Sequence, residues 1–252
     1  MTLKILRAFH PARDMVYYVI SMQTRRKEAA RMDGRLTEIS RREVLRYLQW
    51  RGGEVPEELA RQLDGCQAAL LAAARPRVVW RRYDLLPDMT LASTAFRLQG
   101  QAIGRLLADC REVILLCATL GLEAEALLRR AQAGNMAEAV VLDAMGSAAI
   151  ENVCDNLCGD LAKQFAPRYL TDRFSPGYGD MPIAQQQALF DTLDVTRQIG
   201  VTLTESGLMV PQKSVTAVVG IAHRPQPRRR GCGSCENHEQ CAYRKEGKHC
   251  EA

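Results

Sequence analysis

Four cysteines crowd one end of this chain. Cys232 and Cys235 are separated by two residues, Cys235 and Cys241 by five, and Cys241 and Cys250 by eight. Thiolates at such spacing can close a tetrahedral shell around zinc or supply all four ligands of an iron–sulfur cluster. His238 and His249 offer substitute ligands. The spacing matches neither a two-cluster ferredoxin run nor a nucleic-acid zinc finger, so both metals stay open. The alternative is a mobile tail with merely reduced thiols, since Pro225, Pro227 and Arg228 to Arg230 precede it as a basic linker.

A second constellation lies in residues 171–182, where two prolines and two glycines break all periodicity and Arg173 is followed by Pro176, Gly177 and Tyr178. Arginine presents a planar fork suited to a carboxylate or phosphate. Glycine lets backbone approach a ligand, and tyrosine adds a flat face with a terminal hydroxyl. This composition suits a loop that holds a small molecule, and equally a purely structural turn.

These residues must be positioned by a soluble, core-forming chain: 252 residues, 47% hydrophobic and 25% charged. No apolar run approaches the roughly 18 residues that a membrane span needs. The net charge of +5 sits at the ends. Residues 1–31 carry seven basic and two acidic side chains and residues 222–252 seven and four, so subtracting +5 and +3 leaves the middle at −3. With an acidic body and 6% aromatic residues, a nucleic-acid partner is not expected. No signal peptide precedes the cysteines, which points to a reducing, cytoplasmic location. Cys66, Cys110, Cys117, Cys154 and Cys158 lie among apolar residues and read as small buried hydrophobes.

Periodicity predicts the elements. Ser40 to Glu43 is a capping-box pattern opening a short helix, and Leu59, Leu63, Cys66, Leu70 and Ala74 mark a second that Pro76 stops. Residues 78–80, 113–117 and 214–221 read as strands. Residues 99–110, 122–132, 135–165 and 185–193 read as helices. Strand and helix do not alternate regularly, so the expected class is α+β: a helical N-terminal part plus a mixed or antiparallel sheet with flanking helices. Residues 1–37 are read as an N-terminal extension, with Met32 as an alternative start, 38–222 as the body, and 223–252 as the basic linker and cysteine-rich tail.

The segment 173–178 (RFSPGY) together with 199–216 (IGVTLTESGLMVPQKSVT) closely resembles the activation domain of vitamin B12-dependent methionine synthase. The stretches EVLRYLQWRGGEVPEEL, ATLGLEAEALLRRAQ and LDAMGSAAIENVCDNLC look like the free-standing form of that domain, so the resemblance covers about residues 38 to 221. It implies an accessory subunit for reductive activation: S-adenosylmethionine remethylates the cob(II)alamin of a partner, a methionine synthase or related corrinoid protein, after one-electron reduction by an unidentified donor. It further implies that Arg173 binds the ligand's carboxylate, that Gly177 passes close to it, and that Tyr178 faces the corrin. Glu151 falls where the family places an acidic helix residue, and its carboxylate could balance the sulfonium; it reads equally as a solvated helix residue. Glu205 and Lys213 lie in the second motif, with fold-supporting hydrogen bonds as their simplest role.

Two departures stand out. The fused domain continues its glycine–tyrosine pair with Pro-Ala-Cys where this chain has Gly179, Asp180 and Met181, and it ends in strands with paired tyrosines where this chain has the cysteine tail. A cluster in that tail, near the cobalamin, would pass on the single electron from that donor. The competing expectation is a non-catalytic module that clamps a corrinoid protein, with structural zinc in the tail.

Overall fold

The computed structural model describes residues 29–50 and 53–225. Its centre is built from the three apolar runs: β2 (Arg77–Asp84), β3 (Cys110–Thr119) and β7 (Ser214–Ala222). β2 pairs antiparallel with β3, and β3 with β7. β1 (Ala29–Asp33) lines the outer edge of β2 and β4 (Tyr169–Leu170) the outer edge of β7. The order is β1-β2-β3-β7-β4, antiparallel throughout. The sheet therefore begins at Ala29, upstream of the boundary expected at 38.

Because side chains alternate across a strand, each central strand feeds two cores. Val78, Trp80, Ile114, Leu116, Ala118, Ala217, Val219 and Ile221 share the first core, and Val79, Val113, Leu115, Cys117, Val218 and Ala222 the second. This explains why these strands read as continuous apolar runs: both faces are covered.

The first face is covered by α1 (Arg41–Tyr47), α2 (Glu57–Ala73), α4 (Leu122–Gly134) and α5 (Met136–Gln164). Ser40 caps α1 by accepting the Glu43 N–H at 3.4 Å, and Asn135 caps α5 by accepting that of Glu138 at 3.2 Å. α5 runs 29 residues, about 43 Å, and is the longest element among the described residues. The second face is covered by α3 (Gln101–Leu106), α6 (Gln185–Leu193), α7 (Val195–Ile199) and the buried side chains of Leu91, Phe96 and Leu98. A two-stranded hairpin, β5 (Thr202–Leu203) with β6 (Met209–Val210), stands apart from the sheet.

The expected helix 99–110 is corrected at its end: it stops at Leu106 because Cys110 already opens β3. Cys66, Cys110, Cys117 and Cys154 are buried free thiols as expected, whereas Cys158 is only half-buried. Among the described residues, no helix is long and apolar enough to cross a membrane.

Candidate functional site

The arginine loop continues the sheet's edge. Beyond β4, Phe174 exchanges backbone hydrogen bonds with Val218 at 2.9 and 2.8 Å, and the Ser175 hydroxyl donates to the Thr216 carbonyl at 2.6 Å. Arg173 is thereby held beside β7 and points at α5. There its Nη2 donates to Glu151 Oε2 at 2.5 Å and its Nη1 to Asp155 Oδ1 at 2.7 Å. The two carboxylates are four residues apart, one helical turn, so they share a face of α5.

The guanidinium is the most enclosed member, with its side chain 21% exposed against 44% for Glu151 and 63% for Asp155. Cys158 adds a sulfur 3.8 Å from Nη1. Burial works against the charge of Arg173, but the surrounding thiols and carboxylates outweigh it and raise its pKa above the ordinary arginine value. Burial likewise pushes the Cys158 thiol up, although Arg173 opposes the shift, so this sulfur stays a neutral thiol. One cation and two anions give the cluster a net charge of −1.

After Pro176 the chain makes two interlocked turns. The Gly177 N–H donates to the Met181 carbonyl at 2.9 Å, the Met181 N–H to the Tyr178 carbonyl at 3.0 Å, and the Tyr178 N–H to the Ser175 carbonyl at 3.0 Å. Gly177 has φ +89°, in the left-handed region that L side chains rarely adopt, and an added Cβ would lie 3.2 Å from Ile183 Cδ1. Tyr178 is 70% exposed and meets the Phe174 ring edge-on with centroids 6.3 Å apart. Ile183, which lies against Gly177, is also exposed and with Tyr178 gives the arginine loop an apolar edge, while Leu208 is exposed in the neighbouring hairpin turn.

The two sequence motifs co-occur because one supports the other. The Gln186 side chain donates to the Gly207 carbonyl at 3.1 Å and accepts from the Thr216 hydroxyl at 3.3 Å, which ties the β5–β6 hairpin to β7 beneath the loop. Buried Glu125 of α4 accepts the Gln212 N–H at 2.9 Å. Lys213 bonds Asp143 at 2.8 Å and the Ser147 hydroxyl at 2.9 Å. Lys213 thus has the supporting role expected of it, and Glu205 is exposed in the hairpin turn.

Of the expected ligand residues, Arg173 and Glu151 are in direct contact, with Gly177 and Tyr178 in the same loop. Sequence reasoning passed over Asp155, whose signal was its four-residue offset from Glu151, and singled out Asp180 only as a departure, with no role. The Asp180 carboxylate accepts the Gln101 and Ala102 N–H groups at 2.6 and 2.9 Å and so caps α3. Those bonds hold its pKa below the ordinary aspartate value. Asp180 is thus a strut between the arginine loop and α3. Cys232, Cys235, Cys241 and Cys250 lie outside the described residues. Among the described residues no group of three or more His, Cys, Asp or Glu side chains is placed to hold a metal.

The fold thus presents this arginine on an edge loop of an antiparallel sheet against a long helix, with the second motif tied to the same strand β7. The family model for the vitamin B12-dependent methionine synthase activation domain matches residues 122–247, and the chain belongs to that family. Among solved structures, the chain is similar to the MetH reactivation domain, whose crystal structure has AdoHcy bound, at a TM-score of 0.58 and 17% identity over 87% of this chain and 86% of that one. At that identity the likeness speaks for the fold. No curated protein matches the chain in sequence.

Proposed function

We propose that this chain is an accessory subunit for the reductive activation of a cobalamin-dependent methionine synthase or related corrinoid protein, and that it binds S-adenosylmethionine as the methyl donor. The observation that carries the reading is the Arg173 guanidinium, largely buried in an exposed-rimmed loop and flanked by Glu151 and Asp155. An amino-acid ligand carries a carboxylate for the first and a cation for the others, so the donor set fits. That the similar MetH reactivation domain binds AdoHcy supports the same ligand class here.

The hard chemistry belongs to the cofactors: an electron makes the partner's cobalt nucleophilic and the sulfonium supplies the methyl. This chain binds and orients. Arg173 takes the ligand's carboxylate, Glu151 lies beside the positive charge, and the turns around Gly177 bring backbone close to the ligand. Tyr178 and Ile183 present an apolar edge to the partner's corrin. The four tail cysteines, from spacing alone, carry the further proposal of a metal centre.

The test is the return of a partner's cob(II)alamin to the methylated state, followed by visible absorption with S-adenosylmethionine and a chemical reductant. The proposed function predicts faster return with this chain present. No acceleration with any cobalamin-dependent methionine synthase or corrinoid protein from the same cell would contradict it.

A further inference from the structure

The guanidinium that a ligand's carboxylate needs is already held at both ends by carboxylates of this chain, Glu151 on Nη2 and Asp155 on Nη1. Binding is therefore an exchange, and the two acids are not equivalent. Asp155 is the more exposed, 63% against 44%, so water compensates it better on release. The Nη1 that it would vacate keeps only a weak acceptor, the Cys158 sulfur at 3.8 Å.

We propose that Asp155 is an internal stand-in for the ligand's carboxylate and determines specificity for an α-amino acid: on ligand entry it gives up Nη1 and pairs with the ligand's ammonium. The inference rests on the proposed function and deepens it at the same site. A simple carboxylate would take the cluster from −1 to −2, crowding three anions around one cation, which is unfavourable in a half-buried site. An amino-acid zwitterion leaves it at −1. Its ammonium and carboxylate share one carbon, so a carboxylate seated on Arg173 brings the ammonium within reach of the aspartate just displaced. The exchange moves no covalent bond or proton.

Calorimetric titration of the full chain with S-adenosylhomocysteine and with its des-amino analogue, which keeps the carboxylate and replaces the ammonium by hydrogen, tests this. The wild type is expected to prefer the amino form by about tenfold or more. In Asp155→Asn the preference falls below about threefold, with the des-amino form binding more tightly than it does to the wild type, because the competing carboxylate is gone. Asp155→Glu restores the preference, which a merely structural role would not require. A preference in Asp155→Asn within about twofold of the wild type, with binding intact, overturns the inference alone. Absence of binding of either compound to the wild type overturns the proposed function with it. Circular dichroism of each variant verifies that it has folded.

Discussion

The stem of Lys213 lies across Gly146 of α5. A Cβ built on Gly146 would sit 3.0 Å from both Cγ and Cε of Lys213, while the ammonium bonds Asp143 and Ser147. This contact locks the second motif onto the helix that carries Glu151 and Asp155. Gly146→Val is expected to force the lysine aside and destabilise by about 1–3 kcal/mol, as overpacking does. Lys213→Met keeps the stem and loses an ion pair whose acid is half exposed, so it costs about 1 kcal/mol or less. Urea unfolding midpoints of the two variants check the order.

Gly177 gives a local prediction of another kind. Its φ of +89° and the 3.2 Å approach of Ile183 mean that Gly177→Ala strains the loop by about 1–2 kcal/mol without touching either core. The variant should retain cooperative unfolding and lose ligand affinity. A variant that binds as the wild type does would show that the turn is not part of the site.

Asp180 predicts a pH dependence. Its carboxylate, bonded to the Ala102 and Gln101 N–H groups, has a folded-state pKa below the ordinary aspartate value of 3.8. The folded state thus favours the ionised form. The stabilisation is present above that ordinary value and is lost as pH falls through the lower folded-state one. Asp180→Ala should lower the melting temperature at neutral pH, and the gap from the wild type should close as acid protonates the cap. A constant gap across the acid range would show that the charge contributes nothing.

The tail makes a prediction about content. Purified without oxygen, the protein should hold stoichiometric iron or zinc, and Cys232→Ser with Cys235→Ser should lose it. Elemental analysis reads both. Retention of stoichiometric metal in the variant would show that Cys232 and Cys235 do not hold it.

Much of this architecture was legible in the sequence because its strongest elements are long. The apolar runs of β3 and β7 and the Ala- and Leu-rich periodicity of α5 declare themselves within one window. β4, β5 and β6 are two residues each and have no periodicity to read; pairing along β7 or across the hairpin is what makes them strands. β1, Ala29–Asp33, carries little apolar alternation and is a strand because β2 lies beside it. The site divides the same way. Arginine, glycine and tyrosine within six residues could be picked out locally, whereas Asp180 caps a helix 79 residues away and its role follows only from the folded chain.

Arg173 is the residue on which the account turns, and titration of S-adenosylmethionine into the anaerobically purified full chain, with Arg173→Ala alongside, tests it most directly. The predicted result is micromolar binding to the wild type, weakened by about a hundredfold or more in the variant, as expected for the loss of a partly buried charge-assisted pair. Equal affinity in the two proteins, or no binding to the wild type, would contradict it.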